Sequence, residues 1–252
     1  MWAPLLGRTS GTNAEPDGRH MVPGGRPRYP VRVPDILAPM ALLLLIRHAV
    51  TEATGSRLSG RTPGIHLSER GREQAKALAE RIAPVPLAAI HSSPLERCLE
   101  TAEALAAART VAVTPAQGLL EVDYGAWTGR SLPQLARTKL WTTVQQSPSS
   151  ARFPGGETLA EVQRRSVDAL GAIAARHPRG IVAAVTHADV IRLALAQYTG
   201  VHLDLFQRIV VSPASVSAVF LGDRIPRIVR VNDTGSLRDL VPRRRPPPRV
   251  RG

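Results

Sequence analysis

The segment Leu42–His48, Leu-Leu-Leu-Leu-Ile-Arg-His, decides the fold of this chain. Its uninterrupted apolar run predicts a strand buried on both faces, which is typical of a parallel sheet. The run ends in Arg47 and His48, and open α/β sheets bind ligands at the carboxyl ends of their strands. The polar, glycine-containing residues 51–64 supply a turn that would let both side chains face one pocket. An arginine–histidine pair alone is more often merely solvated, so the prediction of a pocket depends on matching chemistry in later segments of the chain.

Strands and helices alternate along the rest of the chain. Short apolar runs predict strands at 41–47, 87–91, 111–113 and 181–185. Apolar residues at helical spacing predict helices at 68–83, 93–106, 158–176 and 189–198, and one more helix is predicted near 131–144. Two late apolar runs, at 215–221 and 225–231, predict a closing β-hairpin. This order predicts an α/β fold, a three-layer α/β/α sandwich with a mostly parallel central sheet.

Composition divides the chain into one domain and two tails. Residues 1–39 are rich in Gly, Pro and Arg and are predicted to be a disordered arm. Residues 40–238 form the predicted domain, and residues 239–252 a disordered basic tail. Residues 1–39 and 241–252 hold more than half of the net charge of +13 and have no recognition fold. We therefore expect no specific nucleic-acid binding, and at most a weak, salt-sensitive attraction.

The residue types also limit the compartment and the ligands that we expect for this protein. The single cysteine, Cys98, excludes an intramolecular disulfide, so a cytoplasmic location is expected, and it is predicted to pack in the core. No apolar run is long enough to cross a membrane and the N-terminus does not resemble a signal peptide, so no membrane partner is expected. No His, Asp and Glu residues have the spacing of metal ligands, so we expect neither a metal nor a cofactor.

The second strand is followed by a sequence that predicts both a helix start and an anion site. Ser93-Pro94-Leu95-Glu96 has the pattern of a capping box with Ser93 as the N-cap. Arg97 then falls in the first turn, where a cation is unfavourable beside the helix dipole. Because helix N-termini bind phosphate through free N–H groups, a bound anion would explain the position of Arg97.

The fourth strand and one loop complete the set of chemical groups. The strand ends in Thr186 and His187, and a helix follows immediately. The loop 119–129 carries carboxylates toward a site that otherwise collects positive charge. Two arginines can neutralise a phosphoryl group, a neutral histidine can attack it, and a carboxylic acid can protonate the leaving oxygen. These groups together predict phosphoryl transfer.

Six motifs follow one another along the chain: Leu-Ile-Arg-His-Ala-x-Thr-Glu, Leu-Ser-Glu-Arg-Gly-Arg-Glu-Gln-Ala, Ser-Ser-Pro-Leu-Glu-Arg-Cys-Leu-Glu-Thr-Ala, Glu-Val-Asp-Tyr-Gly-x-Trp-x-Gly, Pro-Gly-Gly-Glu-Thr and Val-Thr-His-Ala-Asp-Val-Ile-Arg. In these motifs the chain resembles the histidine phosphatase superfamily, the phosphoglycerate-mutase-like proteins, over nearly all of residues 41–238. The resemblance implies a phosphoglycerate-mutase-like fold and places the chain in the short phosphatase branch of the superfamily.

The resemblance also implies a role for each site residue. His48 would be the nucleophile that forms a phosphohistidine, and Glu121 the general acid. The residues that would bind the phosphoryl oxygens are Arg47, Arg97 and His187.

Three positions depart from the pattern or compete with it. Thr54 stands where relatives often have Asn, and it is a further candidate for phosphate binding. Ala188 replaces a commoner glycine, and its backbone N–H is expected to serve equally well. Asp123 is the rival carboxylate to Glu121, with a structural loop role expected.

The expected activity is hydrolysis of a small-molecule phosphate ester without cofactor or metal. The alternatives are a cofactor-dependent phosphomutase of the phosphoglycerate mutase type and a non-catalytic protein that binds phosphorylated ligands. Mutases of the superfamily carry a longer insertion after the loop that holds the general acid, whereas here about 30 residues separate Gly125 from Gly155. That favours hydrolysis. The sequence gives neither the substrate nor the oligomeric state.

Overall fold

The computed structural model describes residues 40–107 and 109–235. The predicted arm, 1–39, and the predicted basic tail, 239–252, lie outside the described residues. Six strands form one sheet in this part of the chain. They are β1 (Met40–Arg47), β2 (Leu87–Ser92), β3 (Val113–Pro115), β4 (Ile181–Thr186), β5 (Val216–Gly222) and β6 (Arg227–Asp233). The helices are α1 (Glu69–Ile82), α2 (Glu96–Ala106), α3 (Leu132–Leu135), α4 (Lys139–Gln146), α5 (Leu159–Arg176) and α6 (Ala188–Thr199).

The sheet has the strand order β3–β2–β4–β1–β5–β6. The first four strands in this order are parallel to one another. At one side of the sheet, β5 pairs with β1 in antiparallel orientation, and β6 pairs with β5 in antiparallel orientation. Strand β1 pairs with β4 from Leu42 opposite Ile181 to Arg47 opposite Thr186. This register brings the chain segments that follow both strands to the same edge, so that His48 and His187 become neighbours.

The alternating side chains of β1 supply two cores, one on each face of the sheet. Leu43 and Leu45 pack with residues of α5 and α6. Leu44 and Ile46 pack with residues of α1 and α2 on the other face. A strand covered on both faces needs the continuous apolar run that the sequence shows. The predicted three-layer sandwich with a mostly parallel sheet is confirmed.

Two strand boundaries differ from the prediction. Strand β3 spans 113–115 instead of 111–113, because this short edge strand pairs through Val113 opposite Ile90 and is hardly buried. Strand β6 begins at Arg227, two residues later than predicted, although its partner β5 lies where expected. Exposed edge strands carry little apolar periodicity, which is why the sequence locates them poorly.

Two helix predictions also require correction. The helix predicted near 131–144 is two helices, because Thr138 accepts a hydrogen bond from the N–H of Trp141 and starts a second one. Helix α2 begins at Glu96, not after an N-cap at Ser93. The N-cap is Leu95, and the hydroxyl of Ser93 accepts from the N–H of Leu95 at 3.5 Å and lies 2.8 Å from Nε2 of His187. By contrast, Thr158 and Glu161 do form the predicted capping box at the start of α5.

Candidate active site

His48 follows β1, and its contacts fix one protonation state. It is only 7% exposed. Its Nδ1 lies 2.7 Å from the carbonyl oxygen of Ala49, and because a carbonyl can only accept, Nδ1 carries the proton. Burial, and then the charge of Arg97, lowers the pKa of His48 to about 3. The neutral ring therefore keeps a lone pair on Nε2, as a nucleophile requires.

Arg47 and Arg97 bring two guanidinium groups to the same place. Arg97 is 2% exposed, and its Nη2 donates to the carbonyl of Gly60 at 2.8 Å. Nη1 of Arg47 donates to the carbonyl of Val211 at 2.7 Å. Within the described residues, Nη1 of Arg97 and Nε of Arg47 are buried without a hydrogen-bond partner. Because a buried unpaired donor costs about 1–3 kcal/mol, an anion that accepts from both would be bound favourably.

His187 follows β4 and is fully buried beside His48. The two ring centroids are 5.3 Å apart in an edge-to-face arrangement. Nε2 of His187 lies 2.8 Å from Oγ of Ser93, and Nδ1 lies 3.3 Å from Nη2 of Arg97. Burial first, and then Arg97, lowers the pKa of His187 well below its usual value, so the ring is neutral.

Glu121 lies in the acid loop, which we define as residues 118–129. Its side chain is 13% exposed, and Oε1 accepts a hydrogen bond from the N–H of Val122 at 3.0 Å. Burial, followed by the charge of Asp189, raises the pKa of Glu121 to about 7, although Arg97 and Arg47 oppose the rise. A carboxyl group that holds a proton near neutral pH is suited to general acid catalysis.

Asp123, the rival carboxylate, organises the acid loop. Its Oδ1 accepts from the N–H of Gly125 at 2.9 Å, and its Oδ2 lies 3.8 Å from Nη1 of Arg61. Gly125 itself has a positive φ of 50°, and a Cβ there would lie 2.1 Å from the carbonyl oxygen of Pro154. The turn therefore needs glycine, and Asp123 supports it.

A small cavity of about 130 Å³ lies at the carboxyl edge of the sheet. Its wall includes five of the residues that the sequence singled out: Arg47, His48, Thr54, Arg97 and Glu121. Most of the remaining wall comes from residues 51–60. His187 and Ala188 are not part of the wall: His187 is buried beside His48, and Ala188 begins α6.

Thr54 uses its hydroxyl within its own loop. Its Oγ1 accepts from the N–H of Thr51 at 2.9 Å and lies 3.1 Å from Oγ1 of Thr51. Both side chains line the cavity. The phosphate contact of Thr54 stays a prediction.

A charged network that the sequence did not single out anchors the acid loop. Arg165, on α5, donates to the carbonyls of Gly118, Leu120 and Glu121. Arg61 also donates to the carbonyl of Glu121, at 2.9 Å. Both arginines bind Glu157, whose Oε2 accepts from the N–H of Asp123 at 3.0 Å. The sequence signal that could have indicated this network is the motif Pro-Gly-Gly-Glu-Thr, which contains Glu157.

Two more pairs near the cavity were missed. Tyr124 lines the cavity, and its hydroxyl donates to Oδ2 of Asp189 at 2.8 Å. Ser93 was assigned to a helix cap, whereas its hydroxyl lies against His187. Both contacts join segments far apart in the sequence, and no local pattern indicates them.

Neither a metal cluster nor a membrane-spanning helix is present in the described part of the chain. Among residues 40–107 and 109–235, no group of three or more His, Cys, Asp or Glu side chains could hold a metal ion. No helix within the same ranges has both the length and the apolarity needed to cross a bilayer.

The sequence of residues 43–234 matches the family model described as histidine phosphatase superfamily, branch 1. The chain belongs to the histidine phosphatase superfamily. Phosphoserine phosphatase 1 from Hydrogenobacter thermophilus is 32% identical over 203 residues, which cover 77% of this chain and 93% of that protein. The prediction of a phosphoglycerate-mutase-like histidine phosphatase is thereby confirmed, and these likenesses support a phosphoric monoester hydrolase.

Solved structures of the superfamily share the fold. Bacillus stearothermophilus YhfR has a TM-score of 0.73 and 27% identity, over 77% of this chain and 98% of its own. A mycobacterial glucosyl-3-phosphoglycerate phosphatase in complex with VO3 has a TM-score of 0.70 and 26% identity, over 77% of this chain and 99% of its own.

Proposed function

We propose that this protein hydrolyses a small phosphate monoester through a phosphohistidine intermediate on His48, with Glu121 as the general acid. The observation that carries the proposal is the hydrogen bond from Nδ1 of His48 to the carbonyl of Ala49. It leaves the Nε2 lone pair on the neutral ring of His48, which lines the same cavity as Arg47 and Arg97, and each of these arginines has a buried donor without a hydrogen-bond partner among the described residues.

In the first step, Nε2 of His48 attacks phosphorus and the bond from phosphorus to the ester oxygen breaks. Glu121 gives its proton to that oxygen, which leaves as an alcohol. Arg47 and Arg97 neutralise the charge on the phosphoryl oxygens, which is the main demand that phosphoryl transfer makes on a protein. The products of this step are the free alcohol, a phosphohistidine and the Glu121 carboxylate.

In the second step, water attacks the phosphohistidine. Glu121, now a carboxylate, takes a proton from the water while the bond between nitrogen and phosphorus breaks. Inorganic phosphate leaves, and Glu121 is protonated again. The pKa of about 7 allows Glu121 to act as acid in the first step and as base in the second.

Trapping the intermediate tests this proposal. The enzyme is mixed with a ³²P-labelled phosphate monoester and quenched in alkali after a few milliseconds, and the labelled peptide is then identified. We expect label on the peptide that contains His48, and none in His48→Ala. His66→Ala is the matched control, because His66 pairs with Glu100 outside the cavity and should label normally. Turnover by His48→Ala at the wild-type rate would refute the proposal.

A phosphate-release screen identifies the substrate class. It should compare phosphoserine, phosphoglycerates, sugar phosphates and nucleotides, and include phosphoglycerate isomerisation primed with bisphosphoglycerate. We expect release of free phosphate to exceed isomerisation. Vanadate, which the mycobacterial relative holds in its solved structure, should inhibit competitively.

A further inference from the structure

Arg57 is a third arginine in the wall of the cavity. Arg97 is buried and Arg47 is half-buried, whereas Arg57 is exposed. Because Arg57 both lines the cavity and meets solvent, it lies where the cavity opens. The wall thus contains three arginines and one carboxyl group, that of Glu121. The proposed function uses two of these arginines for the phosphoryl group, and the charge of Arg57 has no role in it.

The backbone of Arg57 is held in place by the segment that follows the acid loop. Backbone hydrogen bonds of 2.8, 3.0 and 3.2 Å join residues 56–58 to residues 129–132. Arg57 lies in the middle of this pairing and forms an antiparallel bridge with Ser131. The chain therefore presents Arg57 at the cavity before any ligand binds, so a ligand need not order this part of the backbone.

The guanidinium group of Arg57 makes little use of its donors within the protein. Its Nη1 donates to the carbonyl of Gly129 at 3.3 Å, near the limit for a hydrogen bond. It forms no salt bridge with any residue in the described ranges 40–107 and 109–235. Arg61, in the same loop, does pair with a carboxylate, that of Glu157. Arg57 is thus a held cation, without an acidic partner there, at the opening of a cavity that suits an anion.

Building on the proposed phosphatase function, we propose that Arg57 is a specificity residue that binds a carboxylate on the alcohol part of the phosphate ester. With the phosphoryl group at His48, the rest of the substrate must extend from this small cavity toward its opening, where Arg57 lies. A carboxylate is planar and matches two parallel N–H groups of one guanidinium. The preferred substrates are then phosphate monoesters of hydroxy acids.

Arg130 provides the matched control for Arg57. It is also exposed, and it belongs to the segment that pairs with residues 56–58, but it is not part of the cavity wall. Arg57→Gln and Arg130→Gln therefore remove the same charge from neighbouring positions, and only the first removes it from the cavity. Both side chains are exposed, so neither substitution should disturb the fold.

The probes are two phosphonates, because the proposed reaction cannot break their bond between carbon and phosphorus. One is 4-phosphonobutyrate, which carries a carboxylate, and the other is butylphosphonate, which carries a methyl group in its place. Isothermal titration calorimetry gives the dissociation constant of each probe for the wild type and both variants. The ratio of the two constants in one protein measures its preference for the carboxylate.

We expect the wild type and Arg130→Gln to bind 4-phosphonobutyrate about fivefold to tenfold more tightly than butylphosphonate. That is the effect of an arginine–carboxylate pair at a partly exposed site. In Arg57→Gln the two dissociation constants should agree within about twofold, because the partner of the carboxylate is gone.

Three results would overturn the inference. One is equal affinity of the wild type for the two phosphonates. Another is a preference for the carboxylate that survives in Arg57→Gln, since a different group would then bind it. The third is an equal loss of preference in Arg57→Gln and Arg130→Gln, which would assign the effect to the general positive field. Failure of the wild type to bind either probe would remove the phosphate site and this inference together. A wild type that shows the expected preference but hydrolyses no ester would refute only the proposed hydrolysis.

Discussion

Glu121 is a buried carboxyl group, and its protonation should make the reaction rate depend on pH. Its pKa is raised to about 7, so the acid form is present below that pH and is lost above it. We therefore expect kcat/KM to fall as the pH rises through about 7. Glu121→Gln should remove this limb and lower the rate by about 10²- to 10⁴-fold, the usual contribution of a general acid.

The leaving group provides a check on the role of Glu121. An aryl ester such as p-nitrophenyl phosphate leaves as a stable phenolate and needs little protonation, whereas an alkyl ester does need it. Glu121→Gln should therefore lose less activity on the aryl ester than on phosphoserine or another alkyl phosphate, measured by phosphate release. An unchanged pH–rate profile in the variant would exclude Glu121 as the acid.

Individual residues of the site differ in how well the sequence predicts them. Arg47, His48, Arg97 and Glu121 all line the cavity. Arg47, His48 and Arg97 lie at or near the ends of strongly patterned elements, whereas Glu121 lies in a loop and was indicated by the family motif. The predicted N-cap at Ser93 is wrong, since Leu95 is the N-cap, and the contact of the Ser93 hydroxyl with His187, 94 residues away, leaves no local pattern. Contacts between distant segments depend on strand order, which the sequence pattern does not contain.

Helix α5 anchors the acid loop through one side chain, Arg165. This side chain donates to three backbone carbonyls between residues 118 and 121 and to the carboxylate of Glu157. Arg165→Ala would leave these acceptors unpaired. We expect the free energy of unfolding to fall by about 2 kcal/mol or more. We also expect kcat to fall by up to about 100-fold, since small displacements of a catalytic group have effects of that size.

Arg152→Ala is the control for Arg165→Ala. Arg152 pairs with Glu161, which also lies on α5, but the side chains are 60% and 39% exposed. Such pairs contribute about 0–1 kcal/mol. Denaturant unfolding and steady-state kinetics of both variants make the comparison. Equal effects of the two substitutions would contradict an anchoring role for Arg165.

The elements that the sequence predicted well are those with two independent signals. Helix α5 has a capping box at Thr158 and an apolar stripe, and it ends at Arg176 as predicted. Strands β3 and β6 are edge strands with weak patterns, and their predicted bounds were wrong by two residues. A strand that is buried on both faces has a continuous apolar run in its sequence, whereas an exposed edge strand does not.

The stability of the whole molecule should depend on the protonation of buried histidines. His91 is 5% exposed, and neither ring nitrogen has a hydrogen-bond partner among the described residues. Burial first, and then Arg176 and His177, lowers its pKa below the usual 6.5. The unfolded chain therefore binds the proton more readily, so the contribution of His91 to stability is complete above pH 6.5 and is lost as the pH falls below it.

His91→Leu isolates this effect, because Leu cannot be protonated. We measure the free energy of unfolding of both proteins in urea at pH 5 and at pH 7.5. The difference between variant and wild type should be more favourable to the variant at pH 5 than at pH 7.5. His66 should behave in the opposite way, since Glu100 raises its pKa and its contribution is lost as the pH rises. A difference between wild type and His91→Leu that does not change with pH would exclude the proposed cause.

The pairing of β1 with β4 determines at which stage of folding this protein can become active. The proposed nucleophile is residue 48, but the ring that packs against it belongs to residue 187, which follows β4, the strand between β1 and β2 in the sheet. A nascent chain that still lacks β4 has the proposed nucleophile but not the complete site. Turnover is thus a readout of completed assembly of the sheet, so recovery of activity during refolding should follow the docking of the central strand.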